Sequence, residues 1–348
     1  QWDSNNDGKL TSDELPKQAR GRWERLDANR DGVVTREEFA AFRKKPNRAA
    51  RPDQTSRRDN NRLAQTPPTF RDVKYGPHER NVLDFWQAES DRPTPVIVCI
   101  HGGGFTGGDK RVRFVTLDEC LKSGISVAAI TYRFSQHSPA PASFTDSARA
   151  IQFIRHKAKE WNVDPTRFGA TGGSAGAGIS LWLGFHDDMA DPKNEDPVLR
   201  QSTRLSCMFV SNGQTSYDPR FIRDLLPGTN TYRHQALAKL FATDLTKLDE
   251  LPAEKYRLFE EISPIHHLTK DDPPVILTYA SPFDAKVTGQ SIGIHHPKFG
   301  VDLKERMDKL GIRCEVYAAR KSADGKRPPA SVAFMKGEFG LTRPTNQD

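Results

Sequence analysis

The hydropathy pattern of the chain changes character at about residue 69 and keeps that character to about residue 319. The run Val96 to Ile100 is continuously apolar and rich in β-branched side chains, the signature of a strand buried on both faces of a parallel sheet. Ile125 to Tyr132, Arg167 to Thr171, Leu205 to Ser211, Pro274 to Tyr279 and Arg313 to Ala318 repeat it, with helix-length stretches such as Ala142 to Trp161 and Leu303 to Leu310 between them. Thr69 to Tyr75 and Asn81 to Gln87 instead alternate apolar and polar positions and are joined by Gly76-Pro77, as two antiparallel edge strands would be. Buried strands alternating with helices predict an α/β domain over residues 69–343, built on a doubly wound, mostly parallel sheet. Within it, residues 215–262 form an insertion with helical patterning at Arg233 to Thr243 and Ala253 to Glu261, read either as a cap over a site or as an ordinary crossover.

Two glycine-rich stretches interrupt this pattern where predicted strands end. Thr171-Gly172-Gly173-Ser174-Ala175-Gly176 lies between a strand and a helix beginning near Gly176, and supplies Gly-x-Ser-x-Gly. A nucleophilic serine on such a turn sits in a strained backbone, and its neighbours crowd adjacent elements unless they lack side chains. With Ala177-Gly178 added, the same residues fit Thr-Gly-x-x-x-Gly-x-Gly, a dinucleotide-binding turn, but that turn follows the first strand of its domain, whereas here about a hundred residues of α/β pattern come first. The second stretch, His101-Gly102-Gly103-Gly104-Phe105, follows the run ending at Ile100, where consecutive glycines let backbone N–H groups face a pocket and hold a developing oxyanion. Together, in this order, the two point to acyl transfer on Ser174.

The first 43 residues carry a different chemistry. Asp3-Ser4-Asn5-Asn6-Asp7-Gly8-Lys9 with Glu14 places oxygen donors at positions 1, 3, 5 and 12 of a calcium loop, a glycine at 6 and a backbone carbonyl, that of Lys9, at 7. Asp27, Asn29, Asp31, Gly32, Val33 and Glu38 repeat the set, and Leu10 and Val34 stand where two loops can pair through a short β-bridge. Residues 1–43 thus resemble a paired EF-hand module binding Ca2+ at Asp3, Asn5, Asp7, Lys9 and Glu14, and at Asp27, Asn29, Asp31, Val33 and Glu38. Few apolar residues and no methionine accompany them, which suits structural rather than switching calcium. Residues 44–68 read as a basic, Pro/Arg-rich linker.

That linker accounts for much of the charge. Lys and Arg exceed Asp and Glu by 52 to 45 in 348 residues, a formal +7, but no nucleic-acid-binding motif accompanies the excess, so no nucleic-acid partner is expected. No apolar run approaches the ~20 residues needed to span a bilayer. Cys99, Cys120, Cys207 and Cys314 are widely spread and three fall in predicted buried strands, which argues against a disulfide framework or a zinc site built from them. No signal peptide is visible and the chain opens inside a metal loop, which fits removal of an upstream segment and a periplasmic or secreted location. Nothing in the sequence indicates the oligomeric state.

Residues 69 to 320 resemble an α/β-hydrolase of the hormone-sensitive-lipase-like and bacterial acetyl or feruloyl esterase group. The matching marks are Asn81-Val82-Leu83-Asp84, His101-Gly102-Gly103-Gly104, Tyr132-Arg133 with Pro139-Ala140-Pro141, Asp164-Pro165-Thr166-Arg167, and Gly172-Gly173-Ser174-Ala175-Gly176. The resemblance implies a serine esterase acting on small acyl esters, of carbohydrate or phenolic alcohols among others, with Ser174 as nucleophile, the N–H groups of Gly103, Gly104 and Ala175 as oxyanion hole, and no catalytic cofactor. It also implies an acid past the strand ending at Tyr279, where Asp284 is the available carboxylate, and a histidine after the last strand. That histidine is missing: no histidine follows His296, so His295 and His296, in the loop beyond Asp284, are the candidate bases. The other readings are a catalytically impaired hydrolase-fold binding protein, and an amidase or peptidase.

Overall fold

In the computed structural model, the described residues are 9–11, 27, 29, 31–35, 38 and 66–341, and the chain divides into two compact units, Gln1–Ala64 and Gln65–Asp348. In the first unit β1 (Lys9–Leu10) and β2 (Val34–Thr35) pair antiparallel with Leu10 opposite Val34. Asp3, Asn5, Asp7 and Glu14 lie outside the described residues. In the second loop, the buried Asp27 carboxylate accepts the N–H groups of Asp31 (3.1 Å) and Gly32 (2.9 Å), while Glu38 accepts that of Thr35 at 2.9 Å. Gly32, at φ +87°, makes the turn that brings these oxygens together.

The second unit is built on eight strands: β3 (Phe70–Lys74), β4 (Val82–Trp86), β5 (Thr94–Ile100), β6 (Ser126–Ile130), β7 (Val163–Gly173), β8 (Cys207–Ser211), β9 (Val275–Tyr279) and β10 (Cys314–Ala318). Their order across the sheet is β10-β9-β8-β7-β5-β6-β4-β3. The pairs from β10 to β6 are parallel, and β4 is antiparallel to both β6 and β3. All seven residues of β5 are buried, as the unbroken apolar run Val96 to Ile100 within it requires. On the edge pair a bulge between Phe70 and Val73 carries Asp72 at φ 53°, and its freed N–H is taken by Asp84 Oδ1 at 2.8 Å. All four cysteines are buried and free.

Helices α1 (Leu117–Lys122), α2 (Ala142–His156), α3 (Ala175–Phe185), α4 (Pro219–Leu225), α5 (Gln235–Phe241), α6 (Ala253–Glu261), α7 (Gln290–Gly293), α8 (Lys298–Lys309) and α9 (Ser331–Glu338) connect or cover the strands. Every residue of α3 is buried, so this helix is held on all sides. The chain runs from β5 to its neighbour β6, then crosses back through α2 to β7 on the other flank of β5. The carboxyl ends of β5 and β7 therefore lie side by side at the sheet's switch point, where open α/β sheets bind ligands. Ile100 pairs with Gly172, so the two strands end level and release the two glycine-rich turns next to each other.

Candidate active site

Ser174 joins β7 to α3 with φ 52° and ψ −121°. A non-glycine residue in such a region costs on the order of 1–3 kcal/mol, and the packing around it must hold it there. A Cβ placed on Gly176 would lie 2.1 Å from the Ile100 carbonyl oxygen, and one on Gly172 would lie 2.5 Å from the Gly176 carbonyl carbon. The Ser174 N–H also donates to the Ser211 carbonyl at 2.9 Å, tying the turn to β8. Strand end, helix start and β5 are thus too close for side chains, which is the physical content of the Gly-x-Ser-x-Gly spacing.

The second turn meets the first directly. A Cβ on Gly102 would stand 2.5 Å from the Gly173 carbonyl oxygen and 3.5 Å from Ser174 Cβ. Gly103 at φ 112°, Gly104 at φ 58° and Phe105 at φ 61° fold the chain back sharply. Among the described residues, no protein acceptor takes the backbone N–H of Gly103, Gly104 or Ala175. Gly102 and Gly103 line a cleft of about 730 Å³ with Ser174, His295, Asn212 and Phe114; Gly104 and Ala175, next along each motif, do not. Helix α5 of the 215–262 insertion sits over the turn, with Ala236 Cβ 3.3 Å from where a Gly104 Cβ would be.

Of the candidate bases, His295 reaches the serine. Its Nε2 lies 2.8 Å from Ser174 Oγ, and its Nδ1 lies 2.9 Å from the Ser291 carbonyl oxygen, one turn back in α7. A carbonyl can only accept, so Nδ1 carries the proton and Nε2 turns its lone pair to the serine hydroxyl. Burial lowers the His295 pKa below the ordinary imidazole value of 6.5, opposed by the bond to Ser291, so the ring is neutral at pH 7. His234, which caps α5 by accepting the Ala236 N–H at 3.1 Å, is lowered by burial and then by the nearby His295.

The structure places the other two candidates away from the serine. His296 is 2% exposed, donates from Nε2 to the Ala285 carbonyl at 2.9 Å and accepts the Lys298 N–H at 3.1 Å, so both nitrogens are spent on fixing the start of α8. Asp284 is exposed and, among the described residues, hydrogen-bonds to neither ring; the Ser291 carbonyl occupies the place assigned to the acid. His101 braces the glycine turn: its ring stacks on Tyr132 at 4.2 Å, its Nδ1 lies 2.7 Å from the Gly102 carbonyl, and burial lowers its pKa to about 4.

The comparisons with known proteins bear on this cleft. The profile of the BD-FAE family matches residues 83–293, well over half of the chain. The chain belongs to the BD-FAE family. An EF-hand profile also matches residues 24–42. Carboxylesterase NlhH of Mycobacterium tuberculosis is 32% identical over 179 residues, covering 48% of this chain and 56% of the relative. Esterase LipQ of the same organism is 26% identical over 213 residues, covering 60% and 47%; the chain spans about half the length of the curated relatives it matches. An acetyl ester-xyloside bifunctional hydrolase from Caldicellulosiruptor lactoaceticus superposes with a TM-score of 0.56 at 22% identity, covering 73% of this chain and 86% of that one. A carbohydrate esterase from gut microbiota, in truncated form, gives 0.57 at 20%, covering 79% and 98%. These structures establish the α/β-hydrolase fold. The BD-FAE match ends at residue 293, two residues before the ring that meets Ser174.

Sequence reasoning missed the Ser291 carbonyl, since a backbone acceptor leaves no residue-type signal. It also passed over the rim. Arg111 and Arg113 line the serine cleft, and Arg320, Lys321 and Arg327 line a second depression that begins at Ser211, next to Asn212. All five are exposed, and among the described residues no salt bridge neutralises them; the cleft's own acid is Asp109. Phe114, 41% exposed, lays its ring on Gly173 beside the serine.

Proposed function

We propose that this chain is a serine carboxylic ester hydrolase that works with the pair Ser174 and His295. The observation that carries the reading is the 2.8 Å approach of Nε2 to Oγ on a ring whose other nitrogen is held by the Ser291 carbonyl. As Oγ attacks the acyl carbon, Nε2 takes its proton, and the carbonyl oxygen becomes an anion for which the N–H of Gly103, in the cleft, and those of Gly104 and Ala175, next along each turn, are the expected donors. His295 then gives that proton to the leaving alkoxide as the C–O bond breaks, and water repeats the sequence to release the acid. The names of the esterase relatives support an ester as substrate. The cationic rim and the exposed Phe114 ring support an alcohol portion that is anionic and carries a flat or sugar-like face.

With no carboxylate bonded to it among the described residues, the imidazolium formed in the reaction is stabilised by a dipole rather than by a charge. Loss of the orienting acid costs serine hydrolases up to about 10⁴-fold in kcat, largely through the wrong tautomer, which the Ser291 carbonyl here prevents. The missing charge is also what favours the second reading, a binding protein on a hydrolase scaffold. Hydrolysis of p-nitrophenyl acetate that disappears in Ser174→Ala supports the enzyme; equal rates in the two proteins would leave the binding reading.

Calcium belongs to the proposal for the N-terminal unit. Asp27, Asn29, Asp31, Glu38 and the Val33 carbonyl supply hard oxygens of the kind Ca2+ takes, and Asp3, Asn5, Asp7, Lys9 and Glu14 would form the first site. Calorimetric titration of the full chain with Ca2+ is expected to give saturable binding that weakens in Asp27→Ala; a flat titration would refute it.

A further inference from the structure

Away from the serine, three side chains from three segments converge: His186, the residue after α3, Glu261, the last residue of α6, and His267, just past the turn Pro264–His266. Each offers one ligand atom, and these atoms lie within 4.8 Å of one another. We propose that His186, Glu261 and His267 form a binding site for a divalent transition cation of the zinc class.

The geometry carries the proposal. His186 Nδ1 donates to the Asp187 carbonyl at 2.8 Å, which leaves a lone pair on Nε2. That lone pair faces Glu261 Oε1 at 3.3 Å, an acceptor facing an acceptor. Something positive must sit between them, either a proton or a metal. A tetrahedral ion bonded at about 2.0–2.1 Å spaces neighbouring ligand atoms by about 3.3–3.4 Å, which is the separation of His186 Nε2 and Glu261 Oε1, with the His267 ligand atom within 4.8 Å of both. The Asp187 carbonyl is the outer partner that metal-binding imidazoles usually have, fixing tautomer and ring orientation. The His186 and His267 rings lie 4.5 Å apart, close enough that two imidazolium charges would repel and a cation bound by two neutral rings would not. Two imidazoles with one carboxylate suit zinc, nickel or copper and not calcium, which asks for oxygens throughout. All three residues are at least partly solvent-exposed, so an ion has access.

The site is separate from the reaction centre. The eleven residues of α3 put about 16 Å of helix between Ser174 and His186. An ion here would fasten the carboxyl end of the helix that carries the nucleophile to the far end of the 215–262 insertion, whose α5 covers the glycine turn. Trp182 provides a reporter: its ring lies 4.3 Å from His186 and its Nε1 donates to the Glu261 carbonyl at 2.9 Å.

The test titrates the full chain with Zn2+ by calorimetry in excess Ca2+, which occupies oxygen-rich sites, and with Ni2+ while following tryptophan fluorescence. One saturable Zn2+ site with quenching by Ni2+ is expected, weakened about tenfold or more in each of His186→Gln, Glu261→Gln and His267→Gln. His266→Gln, an exposed neighbour outside the set, should leave binding unchanged. The three substitutions remove one ligand each, and circular dichroism establishes which variants are folded. Unchanged Zn2+ binding in folded variants, or no saturable binding at all, would overturn the proposal and leave a proton shared between His186 and Glu261.

Discussion

Replacing Gly102 with alanine probes the meeting of the two glycine-rich turns. The new methyl carbon would stand 2.5 Å from the Gly173 carbonyl oxygen, where ordinary contact begins at 3.4 Å. The obstacle is backbone, so no side chain can swing aside. One turn must retreat by about 0.9 Å, and a misplacement of about 1 Å at a reacting centre costs on the order of 10²-fold. Because Gly102 abuts the residue before the nucleophile, the loss should fall on kcat for p-nitrophenyl acetate and on the rate of fluorophosphonate labelling of Ser174. Gly107→Ala, in the same loop with nothing within 4 Å of the added carbon, is the control and should behave as wild type. A folded Gly102→Ala protein with wild-type kcat would refute the argument that these turns build one site.

Asp284→Asn should change kcat by less than about threefold, because that carboxylate is exposed and bonded to neither ring. His296→Ala should instead lower stability by about 2 kcal/mol, by stranding the Ala285 carbonyl and the Lys298 N–H, with kcat per folded molecule kept. The His101 pKa is depressed to about 4 in the folded state, so the unfolded chain binds the extra proton first; stability should fall as pH drops below 6.5, by on the order of 3 kcal/mol once pH has passed both values. Denaturant melts of wild type and His101→Gln across that range would read it, and identical pH slopes would contradict it. Esters with an anionic alcohol portion should show a higher kcat/KM than neutral analogues, lost in Arg111→Gln/Arg113→Gln and eroded by salt, whereas p-nitrophenyl acetate should be insensitive to both.

The strands and the two turns were legible in the sequence because each has one dominant physical cause. The all-apolar run of β5 can only be buried on both faces, and glycines at 102, 172 and 176 stand where the folded chain has no room for a Cβ. Edges were less legible: β7 begins at Val163, ahead of the expected Arg167, and α2 stops at His156 instead of continuing to Trp161, because the chain turns through Asn162 at φ 49° to enter the strand. The choice between His295 and His296 was not legible at all. Adjacent histidines face different ways, and which one meets Ser174 depends on α7, four residues with no periodic pattern of their own, whose Ser291 carbonyl holds the ring. Asp284 was named because the pairing rule for triads looks for a side chain, whereas the oxygen beside His295 Nδ1 is a main-chain one.

The central claim, that His295 is the base for Ser174, is tested most directly by active-site labelling with a fluorophosphonate. Wild type and Asp284→Asn should label stoichiometrically at Ser174, His295→Gln should label at a rate reduced by about 10³-fold or more, and Ser174→Ala should not label. The wild-type labelling rate should rise with pH through an inflection below 6.5, since burial favours the neutral ring that the reaction needs. A His295→Gln protein that labels as fast as wild type would contradict the account.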